Sequence, residues 1–107
     1  MDRSTRAARL ADQIRDYLAS WSQQDHPGYI FSLTQVTLTP DRSRATVWVQ
    51  VSQPDQRDTV LAFLRKDASN YHRKLLKALA KQNAPLLTYK LDDSQALNKL
   101  FDQLLQS

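Results

Sequence analysis

Ala7, Leu10, Ala11, Ile14, Tyr17, Leu18 and Trp21 recur at three- and four-residue spacing. That period predicts an amphipathic helix, capped by Ser4 or Thr5 and ending near Ser22. Asp25-His26-Pro27-Gly28 breaks the pattern and reads as a loop, with His26 a polar loop residue and Gly28 able to take positive φ. Residues 29–39 are rich in β-branched and aromatic side chains and predict a strand. Its alternation changes phase between Leu33 and Val36, which predicts a bulge. Pro40-Asp41-Arg42-Ser43 makes a turn. Ala45, Val47, Val49 and Val51 then alternate with Arg44, Thr46, Trp48, Gln50 and Ser52, the pattern of a strand with one buried face. The two strands are expected to pair as an antiparallel hairpin. Trp48 falls opposite the valines. It either stacks on a base or partner, or packs across the hairpin beside Phe31 or Leu33, which is the commoner role for an aromatic in a sheet.

Pro54-Asp55 predicts the start of a second helix, with Asp55 as cap and Asp58 in the favourable first turn. Val60, Leu61, Phe63 and Leu64 supply its apolar side. At Asp67-Ala68-Ser69-Asn70 the Ser and Asn side chains compete for backbone hydrogen bonds, which predicts a kink or short break. A third helix then runs to about Lys81, with Tyr71, Leu75, Leu76 and Leu79 as its apolar side. Residues 82–85 form a loop, and residues 86–91 a short strand with Leu87, Tyr89 and Leu91 on one face. Asp92-Asp93-Ser94 caps a last helix carrying Ala96, Leu97, Leu100, Phe101, Leu104 and Leu105 at helical period. The order is α-β-β-α-kink-α-β-α. The third strand follows a helical crossover and is expected to run parallel to its neighbour. The fold class is α+β, a three-stranded sheet with the helices packed on one face.

Composition narrows the chemistry. The 107 residues suit a single domain, 1–107, and a 41% hydrophobic content with 24% charged residues is that of an ordinary globule. No apolar stretch approaches the ~20 residues of a membrane span. One glycine excludes phosphate-binding and dinucleotide loops, which need several at fixed offsets. With no Cys, no Glu and two distant His, there is no set for a thiol nucleophile or a metal centre. His72 is isolated from any other ligand. Neither catalysis, a cofactor nor a small-molecule substrate is expected.

The net charge of +4 is unevenly spread. Residues 65–81 carry Arg65, Lys66, Arg73, Lys74, Lys77 and Lys81 against Asp67 alone. Such a segment is commonly no more than a solvated helix face; it is also the field a polyanion would seek. Lys74, Lys77 and Lys81 fall on one flank of the third helix with Arg73 beside them.

Four pieces of the chain resemble the ribosome-binding factor A family, whose fold is a KH domain of the type with its extra helix and strand at the N-terminus (type II). Arg9-Leu10-Ala11-Asp12-Gln13-Ile14-Arg15 is similar to that family's Arg-Val-Ala-x-x-Ile-Arg. Thr39-Pro40-Asp41-Arg42-Ser43-Arg44-Ala45-Thr46-Val47-Trp48-Val49 keeps the spacing of Ser-x-Asp-Leu-x-x-Ala-x-Val-Tyr-Val. Ala68-Ser69-Asn70-Tyr71-His72-Arg73-Lys74 sits at Ala-x-Gly-Phe-Ile-Arg-Arg, with Asn70 at the position of the family's Gly. Residues 85–94 match Pro-x-Leu-x-Phe-x-x-Asp-x-Ser. The loop at residues 25–28 is shorter than usual, and Gln82-Asn83-Ala84 stands where more Arg is expected.

The resemblance implies a cytoplasmic, monomeric assembly factor that binds the small (30S) ribosomal subunit and its 16S rRNA during late maturation and rRNA processing. A glycine-rich KH clamp on single-stranded backbone is excluded, since no glycine lies near the kink. The expected RNA contacts are Arg65, Lys66, Arg73, Lys74, Lys77 and Lys81 on phosphates, Ser69 and Asn70 at the kink, and Arg6 and Arg9 extending the basic surface. The alternative is a protein-interaction module that uses the sheet face around Trp48.

Overall fold

A computed structural model of the chain describes residues 3–79, 84–92 and 104. The elements are α1 (Arg3–Asp25), β1 (Phe31–Leu38), β2 (Arg44–Val51), a 3-10 turn (Pro54–Gln56), α2 (Arg57–Ala78) and β3 (Leu86–Leu91). The sheet order is β1-β2-β3, with β1 antiparallel and β3 parallel to β2. The predicted hairpin and crossover are therefore both present. The last predicted helix lies outside the described residues, except for an exposed helical Leu104.

Both helices cover one face of the sheet, α1 over β1 and α2 over β3. Ala45, Val47, Val49 and Val51 of β2 point into the core between Phe31, Leu33 and Val36 of β1 and the fully buried Tyr89 of β3. Leu10, Ala11, Ile14 and Leu18 of α1 and Val60, Leu61, Leu64, Tyr71, Leu75 and Leu79 of α2 close it from above. The phase change in β1 is a register shift between Leu33 and Gln35, which returns Val36 to the core side.

Several local readings need correction. The helix α1 already includes Ser4 and Thr5, so neither is its cap, and it runs past Ser22 to Asp25. Ser22 does not stop it because its Oγ donates back to Leu18 O (2.7 Å), leaving the backbone to continue until Pro27. Asp55 is likewise no cap: it sits in the 3-10 turn, and α2 begins at Arg57 with no side-chain cap on its first turn. The predicted break at residues 67–70 is absent, and α2 is one helix of 22 residues. Asn70 has no left-handed backbone; Arg42 (φ 60°) is the one non-glycine residue with positive φ among the described residues, and Gly28 does not use positive φ either. Leu76, read as core, is 42% exposed because the buried arc of α2 passes through Tyr71, Leu75 and Leu79 instead.

Candidate nucleic-acid interface

The absence of a break decides the geometry of the basic segment. On one unbroken helix, the buried residues Val60, Leu64, Tyr71 and Leu75 mark the inner side. At 3.6 residues per turn, Arg65, Ser69, Arg73, Lys66, Lys77, Asn70 and Lys74 fall on an arc of about 180° centred opposite that side. All seven are exposed. From Arg65 to Lys77 the arc is roughly 18 Å long. Seven predicted site residues are thus brought onto one surface; Lys81 lies outside the described residues.

Local contacts hold this surface without neutralising it. Asp67, the one acid of residues 65–81, sits at the flank of the arc and meets His26 Nε2 at 2.9 Å. His26 is thereby more than a loop residue: its ring stacks on Phe63 (centroids 3.7 Å apart), tying the α1–β1 connection to α2. Lys74 Nζ lies 5.1 Å from the centroid of the Trp21 ring and 5.9 Å from that of Tyr71, so aromatic faces rather than a carboxylate position it. Arg65 Nη2 donates to Tyr89 O (3.2 Å), using one of its five N–H groups. Among the described residues, no carboxylate pairs with Arg65, Lys66, Arg73, Lys74 or Lys77.

The packing beneath is anchored by two phenols. Tyr71 is fully buried and donates its hydroxyl to Asp25 Oδ2 (2.7 Å), joining the end of α1 to the middle of α2. Burial, then the Asp25 hydrogen bond and charge, push its ionisation far above the ordinary phenol range. Tyr89 is shifted the same way by burial and, secondarily, by Asp67, and its hydroxyl has no partner among the described residues. Both phenols stay neutral and serve the core.

Two features escaped sequence reasoning. A groove of about 240 Å³ runs along α2 beside β3, lined by Ala68, Ser69, His72, Arg73, Leu86 and Leu87. One of its walls is fixed by His72 Nδ1, which donates to Pro85 O (2.9 Å). A separation of 13 residues in sequence left no periodic signal for that bond. The second is Lys90, whose Nζ lies 5.9 Å from the Trp48 ring centroid. The alternation that turns Leu87, Tyr89 and Leu91 inward already places Lys90 outward. Trp48 does not pack beside Phe31 or Leu33, because both of those point into the core; its cross-strand neighbours are Gln35 and Lys90.

Arg6 and Arg9 lie on α1 rather than α2. Both are exposed, and they precede Trp21, where α1 meets α2, by about 22 and 18 Å along the helix. Among the described residues there is no cluster of His, Asp or Glu fit to hold a metal. No helix among them is long and apolar enough to cross a membrane.

A mixed three-stranded sheet under two helices, with a one-sided basic helix, defines a KH-like α+β protein. The family model described as ribosome-binding factor A matches residues 6–105, and the chain belongs to that family. A ribosome-binding factor A from Zymomonas mobilis is 30% identical over 110 residues, covering 97% of this chain and 78% of that protein. One from Cupriavidus taiwanensis is 35% identical over 94 residues, covering 85% and 76%. The crystal structure of the Thermus thermophilus factor superposes with a TM-score of 0.70 at 20% identity, over 79% of this chain and 94% of that one. A homology model of a Thermus thermophilus ribosome-binding factor A, as fitted into a cryo-EM map of a 30S complex, gives a TM-score of 0.65 at 20% identity over 81% and 96%.

Proposed function

We infer that this protein is a ribosome assembly factor that binds the small ribosomal subunit. It acts as a single domain and a cytoplasmic monomer during late maturation and rRNA processing, without cofactor or catalytic step. The exposed arc of α2 contacts 16S rRNA phosphates through Arg65, Lys66, Arg73, Lys74 and Lys77, with Ser69 and Asn70 adding hydroxyl and amide contacts, and Lys81 adds a further phosphate contact. Arg6 and Arg9 on α1 extend the basic surface. The observation that carries this reading is the acid-free cationic arc, rigid because it lies on one unbroken helix. Phosphate contacts of this kind are largely independent of sequence and sensitive to salt. Specificity then comes from the fit of a rigid helix to a folded RNA surface. The 30S complex of the Thermus thermophilus factor supports the choice of partner.

The test is co-sedimentation with small subunits in a salt series, comparing the parent with Lys74→Ala/Lys77→Ala/Lys81→Ala. The variant is expected to bind more weakly, and its logarithmic salt slope to fall by about one for each ammonium–phosphate pair removed. A variant that co-sediments like the parent at every salt concentration overturns the α2 mechanism.

A further inference from the structure

The side of the sheet away from the helices carries its own pattern. On β2, Arg44, Thr46, Trp48 and Gln50 alternate outward while their neighbours fill the core. The register sets Trp48 between Gln35 of β1 and Lys90 of β3, Thr46 between Thr37 and Thr88, and Arg44 beside Leu86. The centre of this face is therefore one large aromatic ring, bordered by hydroxyl and amide groups. Lys90 of β3 lies at the ring, and Arg44 about 13 Å from Trp48 along β2. Among the described residues, no carboxylate pairs with Arg44 or Lys90. Asp92, one step beyond β3, accepts the Thr34 hydroxyl at 2.6 Å.

We propose that this sheet face, exposed among the described residues, is a second binding site, a stacking platform for an unpaired base of single-stranded RNA centred on Trp48. The ring supplies a π-face that any base can use. Lys90 reaches the same place on a flexible stem, so its ammonium moves from the ring to the adjoining phosphate when a base takes the ring. Arg44 meets a phosphate further along the strand, and Gln35, Thr46, Thr88 and Gln50 offer donors and acceptors to base edges and the 2′-hydroxyl. The charge complementarity selects an RNA strand over a protein. A protein-docking face would show a contiguous apolar patch, whereas here the exposed aliphatics among the described outward residues, Ile30 (69%) beside Ser52 and Leu86 (58%) beside Arg44, lie at opposite ends of the face. The site faces away from α2 and is independent of the phosphate contacts proposed there.

The experiment is a fluorescence titration of the full chain with an oligouridylate of about eight nucleotides, in a Trp21→Phe background so that Trp48 alone reports. Saturable quenching of Trp48 is expected, and Trp48→Leu, read by anisotropy of labelled RNA, is expected to weaken binding about tenfold, the value of one stacked base. Lys90→Gln should weaken it less and reduce its salt dependence. Unchanged Trp48 emission on adding RNA, or Trp48→Leu binding like the parent, overturns the proposal. So does a protein partner whose capture is abolished in Trp48→Leu, survives nuclease and coexists with unquenched Trp48. Lys74→Ala/Lys77→Ala run in the same titration separates the two surfaces. If the α2 reading fails alone, that variant keeps parental affinity while Trp48→Leu does not; the reverse result sinks the sheet site and leaves α2 standing.

Discussion

Residues 39–44 and 67–70 are built from the same polar vocabulary, Asp with Ser and a Thr or Asn, and the fold treats them in opposite ways. In the first, the Asp41 carboxylate accepts the Thr39 hydroxyl (2.7 Å), the Ser43 backbone N–H (3.1 Å) and the Ser43 hydroxyl (2.8 Å). Every bond is local, and the chain reverses. In the second, the Asp67 carboxylate leaves its own segment to meet His26, and the side chains of Ser69 and Asn70 make no hydrogen bond among the described residues. The helix continues. Turn-forming residues turn the chain only when their side chains bind the neighbouring backbone. On α2 they are overruled by Leu64, Tyr71 and Leu75, spaced at seven and four residues, which stay in helical phase with the core across the stretch.

The sharpest way to break that comparison is to remove the packing that overrules the polar stretch. Tyr71→Ala deletes a fully buried ring and is expected to cost about 3–5 kcal/mol in urea denaturation. Tyr71→Phe removes only the hydroxyl bonded to Asp25 and is expected to cost about 1 kcal/mol. A loss under 1 kcal/mol for the alanine variant would mean that Tyr71 does not hold the two halves of α2 in one phase. On the turn side, Arg42→Gly relieves a side chain held at φ 60° and is expected to stabilise by about 1 kcal/mol. An unchanged denaturation midpoint counts against the left-handed turn.

Asn70 gives a smaller effect whose sign is diagnostic. In an unbroken helix, Asn70→Ala gains about 0.5 kcal/mol and Asn70→Gly loses a few tenths, following intrinsic helix preference. At a kink needing unusual backbone angles, glycine would stabilise and alanine would not. Thermal denaturation of the pair separates the two, and a stabilising glycine overturns the single helix.

The sheet was legible because its signal is periodic and short in range. The valine alternation of β2, the phase change in β1 and the inward face of β3 each sit within about ten residues. The continuity of α2 was harder to read because it depends on whether two apolar stripes share a phase with a core that residue types alone do not display. Leu64 and Tyr71, two turns apart, carried that signal. The basic residues of α2 were identifiable one by one, but their convergence on a single surface followed only from the missing break. The His26–Asp67 and His72–Pro85 contacts join residues 41 and 13 positions apart, and no pattern in the chain announces either.

The smallest effect tests the local side of the comparison through pH. Hydrogen bonds from Thr39, then from the Ser43 backbone and hydroxyl, lower Asp41 from 3.8 to about 2. The unfolded chain therefore takes up this proton at a higher pH than the native turn does. The contribution of the ionised carboxylate is complete above 3.8 and drains away as pH falls towards about 2. Asp41→Asn cannot titrate. The stability gap between parent and Asp41→Asn should accordingly be constant near neutrality and shrink between about pH 4 and 2, as followed by urea midpoints at several pH values. The full exposure of Asp41 keeps the change small, but its direction is fixed by chemistry. A gap that stays level down to about pH 2 means that the carboxylate is not gathering Thr39 and Ser43, and the contrast with residues 67–70 would then need another cause.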